Sequence, residues 1–210
     1  MNPLPEPVGI YAILDAGAFD PGRIPAAAED MACAGIRVFQ VRAKALPAGP
    51  FGRLVAAVRS TLPPEALLIV NDRADLALAG NADGVHVGHE DLPVEVVRRV
   101  LPAGATIGLS THTLDEVRDG GHRDCDYLGF GPVFESPTKV TGRAPHGVAG
   151  VRAACEASTR PVVAIGGIGL NTVRSLRQAG VSGVAMISSL LVPGRVRELS
   201  ERAVQEFGDP

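Results

Sequence analysis

Short apolar runs rich in Val, Ile and Leu alternate with amphipathic, alanine-rich runs along the whole chain. The apolar runs are nearly continuous, as expected for parallel strands that are buried on both faces. They predict eight strands, at residues 10–14, 38–42, 67–71, 84–87, 106–110, 127–131, 162–166 and 183–187.

The runs between the strands have helical periodicity and helix end signals. They predict helices at residues 25–34, 51–61, 75–80, 93–101, 113–119, 148–157, 171–179 and 196–207. Thr113 with Glu116 three residues later matches a capping box, and Asn171 is the expected cap of the seventh helix. Eight strand–helix units of about 26 residues each predict an α/β fold, a single (β/α)8 TIM-barrel domain over residues 1–210. An open doubly wound sheet is the alternative, but it usually has fewer strands and a switch in strand order.

Composition and charge narrow the functional classes. The chain has 46% hydrophobic and 20% charged residues, which is ordinary for a globular protein. A formal net charge of −3 gives no basic field for nucleic acid, and no apolar run reaches the roughly 20 residues that span a bilayer. The first residues lack a signal-peptide pattern, so a cytoplasmic protein is expected. The expected partners are phosphorylated small molecules, neither nucleic acid nor membrane, and a homo-oligomer is left open.

Function in a TIM barrel is concentrated where the strands end. The second strand ends in Gln40, Arg42 and Lys44, which are spaced two apart and so share one face of an extended chain. Unpaired charges inside a barrel would be costly, so an anionic ligand is the favoured explanation, with a salt-bridged strand terminus as the alternative. Only two of the 20 basic residues are lysine, Lys44 and Lys139, which suggests that each is kept for its compact ammonium group.

Two acidic residues follow consecutive strands. Asp72 comes after the third strand and Asp91 after the fourth. Neighbouring parallel strands are about 5 Å apart, so both carboxylates can reach one ion. Mg²⁺ is often held by one or two carboxylates together with substrate phosphates and water, so these residues predict a Mg²⁺–pyrophosphate site. The alternatives are helix caps at both positions, or an ion pair between Asp72 and Arg42.

A second anion site is predicted at the last two strands. Gly166 and Gly167 end the seventh strand, and Ile187 and Ser188 end the eighth. Loops at these places often bind phosphate through backbone N–H groups, although tight turns are the simpler alternative. One site for a pyrophosphate and one for a phosphate monoester indicate a transfer reaction in which pyrophosphate leaves.

The motif set resembles the thiamine phosphate synthase family, a group that shares its superfamily with thiazole tautomerases. The similarity runs from Tyr11 to about Leu191, and seven stretches carry it in order: QVRAK, VNDRADLAL, ADGVHVGHEDLP, GLSTHT, YLGFGPVFESPTK, VVAIGGI and GVAMIS. The resemblance implies a transferase that couples 4-amino-2-methyl-5-hydroxymethylpyrimidine pyrophosphate with a thiazole phosphate, giving thiamine phosphate and pyrophosphate.

The resemblance also implies roles for individual residues. It places the pyrimidine pyrophosphate on four residues, Gln40, Arg42, Lys44 and Asn71, and Mg²⁺ on Asp72 and Asp91. It places the pyrimidine substrate against Ser110, the thiazole substrate against Ser136 and Thr138, and the pyrophosphate against Lys139. It places the thiazole phosphate on three residues, Gly167, Ile187 and Ser188. Lys139, Arg42 and Lys44 are then the catalytic cations, because they offset charge on the leaving group.

Departures from the family pattern are few. Ala43 stands where the family often has Glu, and Ser136 where Thr is commoner.

A thiazole tautomerase is the nearest alternative, but that group often has a histidine where this chain has Pro132. A phosphate-binding isomerase or aldolase and a non-catalytic phosphate-ligand-binding barrel remain as further alternatives. A packed His86 and a loop His89 are favoured over a metal-binding pair, while His112 has no assigned role.

Overall fold

The computed structural model describes residues 2–135, 142 and 144–208. Within them, eight parallel strands close into a barrel in chain order, as the sequence predicts. The strands are β1 Gly9–Asp15, β2 Val38–Arg42, β3 Leu67–Asn71, β4 Gly84–Val87, β5 Thr106–Thr111, β6 Tyr127–Phe130, β7 Val162–Ala164 and β8 Gly183–Met186. The pairing of β1 with β8 closes the barrel, with Tyr11 opposite Ala185.

A helix follows every strand and covers the outside of the barrel. The helices are α1 Ile24–Cys33, α2 Ala48–Thr61, α3 Ala74–Ala79, α4 Val94–Val100, α5 Leu114–Gly121, α6 Gly147–Ala157, α7 Val173–Gln178 and α8 Val196–Gly208. The predicted (β/α)8 TIM barrel is therefore confirmed. No helix among the described residues is long and apolar enough to cross a membrane.

Strand alternation divides the apolar residues into two layers. Outward-facing side chains such as Leu14, Val41 and Val70 pack against the helices in the larger core. Inward-facing side chains such as Val38 and Ile69 fill the barrel interior in a smaller core. Because side chains alternate between the two faces of a strand, the polar residues in register with the inner set are directed into the barrel.

Several predicted element ends differ from the structure. Strands β6, β7 and β8 end before Gly131, Gly166 and Ile187. After β7, Gly166 and Gly167 have φ values of 93° and 67°, which cannot continue a strand. Asn171 does not cap the seventh helix: it lies inside a 3₁₀ turn, and α7 begins after that turn at Val173. Thr113 does cap α5, and its hydroxyl accepts a hydrogen bond from the Glu116 amide.

Candidate active site

A cavity of about 390 Å³ opens at the carboxyl end of the barrel. Inward-facing strand residues form its floor, and the loops after the strands form its walls. The predicted substrate-binding residues that line it are Gln40, Arg42, Asn71, Ser110, Gly167, Ile187 and Ser188. The structure thus gathers residues from β2, β3, β5 and the loops after β7 and β8 around one space, although they are separated by up to about 150 positions along the chain.

The Arg42 guanidinium is held at this cavity by an acid that the sequence analysis did not select. Arg42 ends β2, Asp15 ends the neighbouring β1, and the two side chains form an ion pair. The other Asp15 oxygen accepts a hydrogen bond from the Gly17 amide at 2.8 Å. A guanidinium has five N–H donors, so Arg42 keeps donors for a ligand after pairing with Asp15. The alternative of a salt-bridged strand end thus describes Arg42 only in part.

Lys44, Asp72 and Asp91 form a charged cluster at the rim, beside the cavity. Lys44 Nζ lies 3.1 Å from Asp72 Oδ2. Asp91 Oδ2 accepts a hydrogen bond from the Gly88 amide at 2.8 Å. Burial raises the pKa of the Asp91 carboxyl above its usual value, and the adjacent Asp72 carboxylate raises it further, while the Gly88 amide and Lys44 act in the opposite direction. Neighbouring carboxylates repel each other, and a cation bound between them would relieve that repulsion.

The structure rules out the alternatives for Asp72 and Asp91, which were helix capping at both positions and an ion pair between Asp72 and Arg42. Helix α3 has Arg73 at its cap position and α4 has Pro93, and neither helix start receives a side-chain capping hydrogen bond. Arg42 pairs with Asp15, and Asp72 with Lys44. In the described ranges no three acidic, histidine or cysteine side chains are grouped to hold a metal. Two carboxylates alone suit Mg²⁺, because substrate oxygens and water can complete its shell.

The opposite wall offers backbone donors. Gly167 has a φ of 67°, and a Cβ there would lie 2.4 Å from the Glu135 carbonyl oxygen, so this turn requires glycine. The Ser189 hydroxyl donates to the Ile168 carbonyl at 2.8 Å and ties the two loops together. Within the part of the chain that the structure describes, the N–H groups of Gly167, Ser188 and Ser189 donate to no protein acceptor. Free N–H groups facing a cavity suit a phosphate.

Three predicted residues fall in the loop after β6. Ser136, Thr138 and Lys139 lie outside the described residues, so their predicted roles stay predictions. Glu135, the last described residue before them, lines the cavity.

Comparisons with known proteins identify the family of this chain. Residues 10–190 match the family model described as thiamine monophosphate synthase. The chain belongs to the thiamine monophosphate synthase family. The predicted family is therefore confirmed.

Individual relatives show how far the similarity extends. A thiamine-phosphate synthase of Anaeromyxobacter dehalogenans is 40% identical over 183 residues, covering 87% of this chain and 80% of that protein. A thiamine biosynthesis bifunctional protein of Symbiobacterium thermophilum is 43% identical over 190 residues; the match covers 90% of this chain but 38% of that protein. The structure of a thiamine phosphate pyrophosphorylase from Pyrococcus furiosus has a TM-score of 0.85 at 32% identity, covering 97% of this chain and 98% of that one.

Three further residues at the floor of the barrel are candidates for a functional role. Tyr11, His86 and Tyr127 line the cavity, and the sequence analysis assigned none of them to it. The missed signal is alternation: Tyr11 lies four positions before the strand end Asp15 and so shares its inward face, and His86 alternates with the outward-facing Val85 and Val87. His86 and His89 do not form a metal pair, because His86 is buried in the barrel while His89 is exposed and lies 3.4 Å from Glu116.

His112 does not belong to the described cavity wall. Its Nδ1 lies 2.6 Å from the Gly131 carbonyl oxygen, and its backbone N–H donates to the Glu116 carboxylate. The residue thus fastens the end of β5 to the start of α5 and to β6.

Proposed function

We propose that this chain couples 4-amino-2-methyl-5-hydroxymethylpyrimidine pyrophosphate with a thiazole phosphate, forming thiamine phosphate and pyrophosphate. The supporting observation is the pair of opposed anion sites: Arg42 and the Lys44–Asp72–Asp91 cluster on one side, and the free backbone donors of Gly167 and Ser188 on the other. The strands β3 and β7 that lead to these sites lie on opposite sides of the closed barrel. Two phosphorylated substrates can therefore meet over the cavity.

The proposed transfer needs no nucleophilic side chain. The bond between the pyrimidine methylene carbon and the pyrophosphate oxygen breaks, and its electron pair leaves with pyrophosphate. The thiazole nitrogen gives its lone pair to that carbon and forms the new C–N bond. Arg42, Lys44 and, by the family resemblance, Lys139 offset the charge that grows on the leaving group. Holding the two substrates together supplies the remaining advantage.

Asp72 and Asp91 are the proposed Mg²⁺ ligands. Their contact and the raised pKa of Asp91 fit a site where a cation removes the repulsion. Bound there, Mg²⁺ would supply positive charge next to the pyrophosphate oxygens. The cytoplasm is the proposed location of this biosynthetic activity.

The direct test is an assay of the purified chain with both substrates, with and without Mg²⁺, that follows thiamine phosphate and pyrophosphate. We expect both products in equal amounts only with Mg²⁺. Thiazole isomerisation without coupling would favour a tautomerase, and binding without turnover would favour a non-catalytic barrel.

Asp72→Asn sharpens this test. Because Asn also tolerates a positive φ, the 63° backbone of residue 72 is kept while one charge is lost. We expect turnover to fall by about 100-fold or more, with little change in melting temperature. Asp75→Asn, which removes an exposed partner of Arg73 on the next helix, is the matched control and should keep full activity. Equal activity in the two variants would contradict the metal assignment.

A further inference from the structure

A continuous chain of hydrogen-bonded side chains crosses the floor of the cavity. Gln40 Nε2 donates to Tyr11 Oη at 2.8 Å, and Tyr11 Oη lies 2.8 Å from Tyr127 Oη. Tyr127 Oη lies 3.0 Å from His86 Nδ1, and His86 Nε2 lies 2.8 Å from Ser110 Oγ. The chain joins Gln40 and Ser110, two predicted substrate contacts on different strands, through three side chains that the proposed function has not used.

One placement of the hydrogens satisfies every bond of this chain, and in it all four bonds run in the same direction. Burial raises the pKa of both phenols well above the usual range for tyrosine, so each keeps its single hydrogen. In this placement Gln40 donates to Tyr11, Tyr11 to Tyr127, and Tyr127 to His86 Nδ1. His86 carries its hydrogen on Nε2 and donates it to Ser110.

The two ends of the chain consequently present opposite groups to the cavity. Ser110 accepts from His86, so its own hydroxyl hydrogen is left for a ligand. Gln40 gives one N–H to Tyr11, which fixes the orientation of its amide and leaves the carbonyl oxygen as an acceptor beside the second N–H. Reversing the His86–Ser110 bond would also reverse the bonds from His86 to Tyr127 and from Tyr127 to Tyr11, because a neutral imidazole and each phenol have one hydrogen to give.

Glycines in the neighbouring strands make room for this arrangement. A Cβ on Gly108 would lie 2.4 Å from His86 Nδ1 and 2.4 Å from Tyr127 Oη. A Cβ on Gly129 would lie 3.1 Å from His86 Cε1. The rings also pack on each other, with centroids 5.4 Å apart for His86 and Tyr127. The backbone of β5 and β6 therefore fits the network closely.

We propose that Tyr11, Tyr127 and His86 are positioning residues that fix Ser110 as a hydrogen-bond donor and Gln40 as an acceptor toward the aminopyrimidine ring. The proposal rests on the proposed function for the identity of that ring. An aminopyrimidine offers amino N–H donors and ring-nitrogen acceptors, so it matches one fixed acceptor and one fixed donor. Groups that are oriented before the substrate arrives need no reorganisation during the reaction.

The first experiment measures the His86 tautomer by ¹⁵N NMR of the histidine rings in the full chain without substrate. We expect a single Nε2–H tautomer for His86, and a mixture in Tyr127→Phe, which keeps the ring and removes the link. Ser200→Ala, which removes a buried hydroxyl on α8, should leave the His86 signal unchanged. An Nδ1–H tautomer in the unmodified chain, or no change in Tyr127→Phe, would overturn the proposal.

The second experiment is kinetic and combines Tyr127→Phe with Ser110→Ala. We expect Tyr127→Phe and Tyr11→Phe each to raise KM for the pyrimidine pyrophosphate by up to about tenfold, with KM for the thiazole phosphate unchanged. Ser110→Ala should cost less in the Tyr127→Phe background than alone, because the network is already broken. Fully additive effects would contradict the network even in an active synthase. Absence of synthase activity would instead reject the proposed function and leave the NMR result valid.

Discussion

Arginine–aspartate pairs stand at both ends of the barrel but have different surroundings. At the amino end, Arg59 pairs with Asp83, whose carboxylate also accepts hydrogen bonds from the Leu68 amide and the Asn2 amide. Arg59 in turn donates to the carbonyls of Ala66 and Pro63. At this end the hydrogen-bonding capacity of the pair is used by the protein itself.

A second pair at the amino end repeats the pattern one strand pair later. Asp126 accepts from Arg98 and from the Ile107 amide, just as Asp83 accepts from Arg59 and the Leu68 amide. Arg98 also donates to the Ala105 carbonyl. Each acid directly precedes a strand and joins that strand to its neighbour. These pairs therefore have a structural role.

The pair at the carboxyl end leaves hydrogen-bond donors available for a ligand. Arg42 and Asp15 are in contact, but the Arg42 side chain is 22% exposed and faces the cavity. Lys44 is 58% exposed beside two acids that repel each other. Arginine–aspartate pairs therefore stabilise the fold where protein atoms use all of their hydrogen-bonding groups. Where some of these groups remain available, the same residue types form a binding site.

Among the variants that distinguish the two ends of the barrel, Asp83→Ala is expected to cause the largest loss of stability. This variant leaves the buried Leu68 amide and the Arg59 guanidinium without their shared acceptor, and losing one partner of a buried pair costs about 3–5 kcal/mol. The melting temperature should fall by roughly 6–20 °C, since 1 kcal/mol corresponds to about 2–4 °C at this chain length. Synthase turnover per folded molecule should be unchanged.

Calorimetry and assays below the transition check this prediction. Asp124→Ala is the matched control, because Asp124 also pairs with Arg98 at this end but its side chain is 66% exposed. It should cost less than about 1 kcal/mol. A loss of turnover in Asp83→Ala without a loss of stability would remove the distinction between the two ends.

The sequence predicted strand limits and cavity residues better than it predicted the ion pairs, and the reason is physical. Strand limits were close to the structure for β2, β3 and β4, because buried apolar runs bounded by polar residues mark them clearly. Gln40 and Arg42 could be assigned to the cavity, because polar residues at strand ends are costly unless they bind something, while Asn71 was assigned through the family resemblance.

Other residues could not be assigned because their partners are distant in the chain. Asp15, Asp83 and Asp126 each precede or end a strand, and the sequence alone does not say which of them meets an arginine. Tyr11 and Tyr127 are 116 positions apart and meet only once the barrel closes. Tertiary pairing of this kind has no local signal.

Asp15→Asn is expected to lower both activity and stability, with a smaller loss of stability than Asp83→Ala. The amide oxygen can still accept from Gly17, but the ion pair with Arg42 is lost. Residues that orient a binding group typically contribute 10–100-fold, so kcat/KM should fall by about that factor. The stability loss should be smaller than for Asp83→Ala, because water in the open cavity can solvate Arg42. Steady-state kinetics and thermal melts measure the two quantities, and a large stability loss with unchanged kinetics would assign Asp15 to the structural class.

Among the test variants, as opposed to the Asp124→Ala control, Asp126→Ala at the amino end is expected to have the smallest effect on stability. Its side chain is 39% exposed, against 8% for Asp83, so water can replace part of what the Arg98 pair provides. We expect a loss of about 1–2 kcal/mol, or roughly 2–8 °C in melting temperature, with full turnover. Denaturant titration of this variant beside Asp83→Ala tests whether burial sets the size of the effect. If both variants lose equal stability, the shared backbone hydrogen bond to the neighbouring strand, and not burial of the ion pair, is what stabilises this end of the barrel.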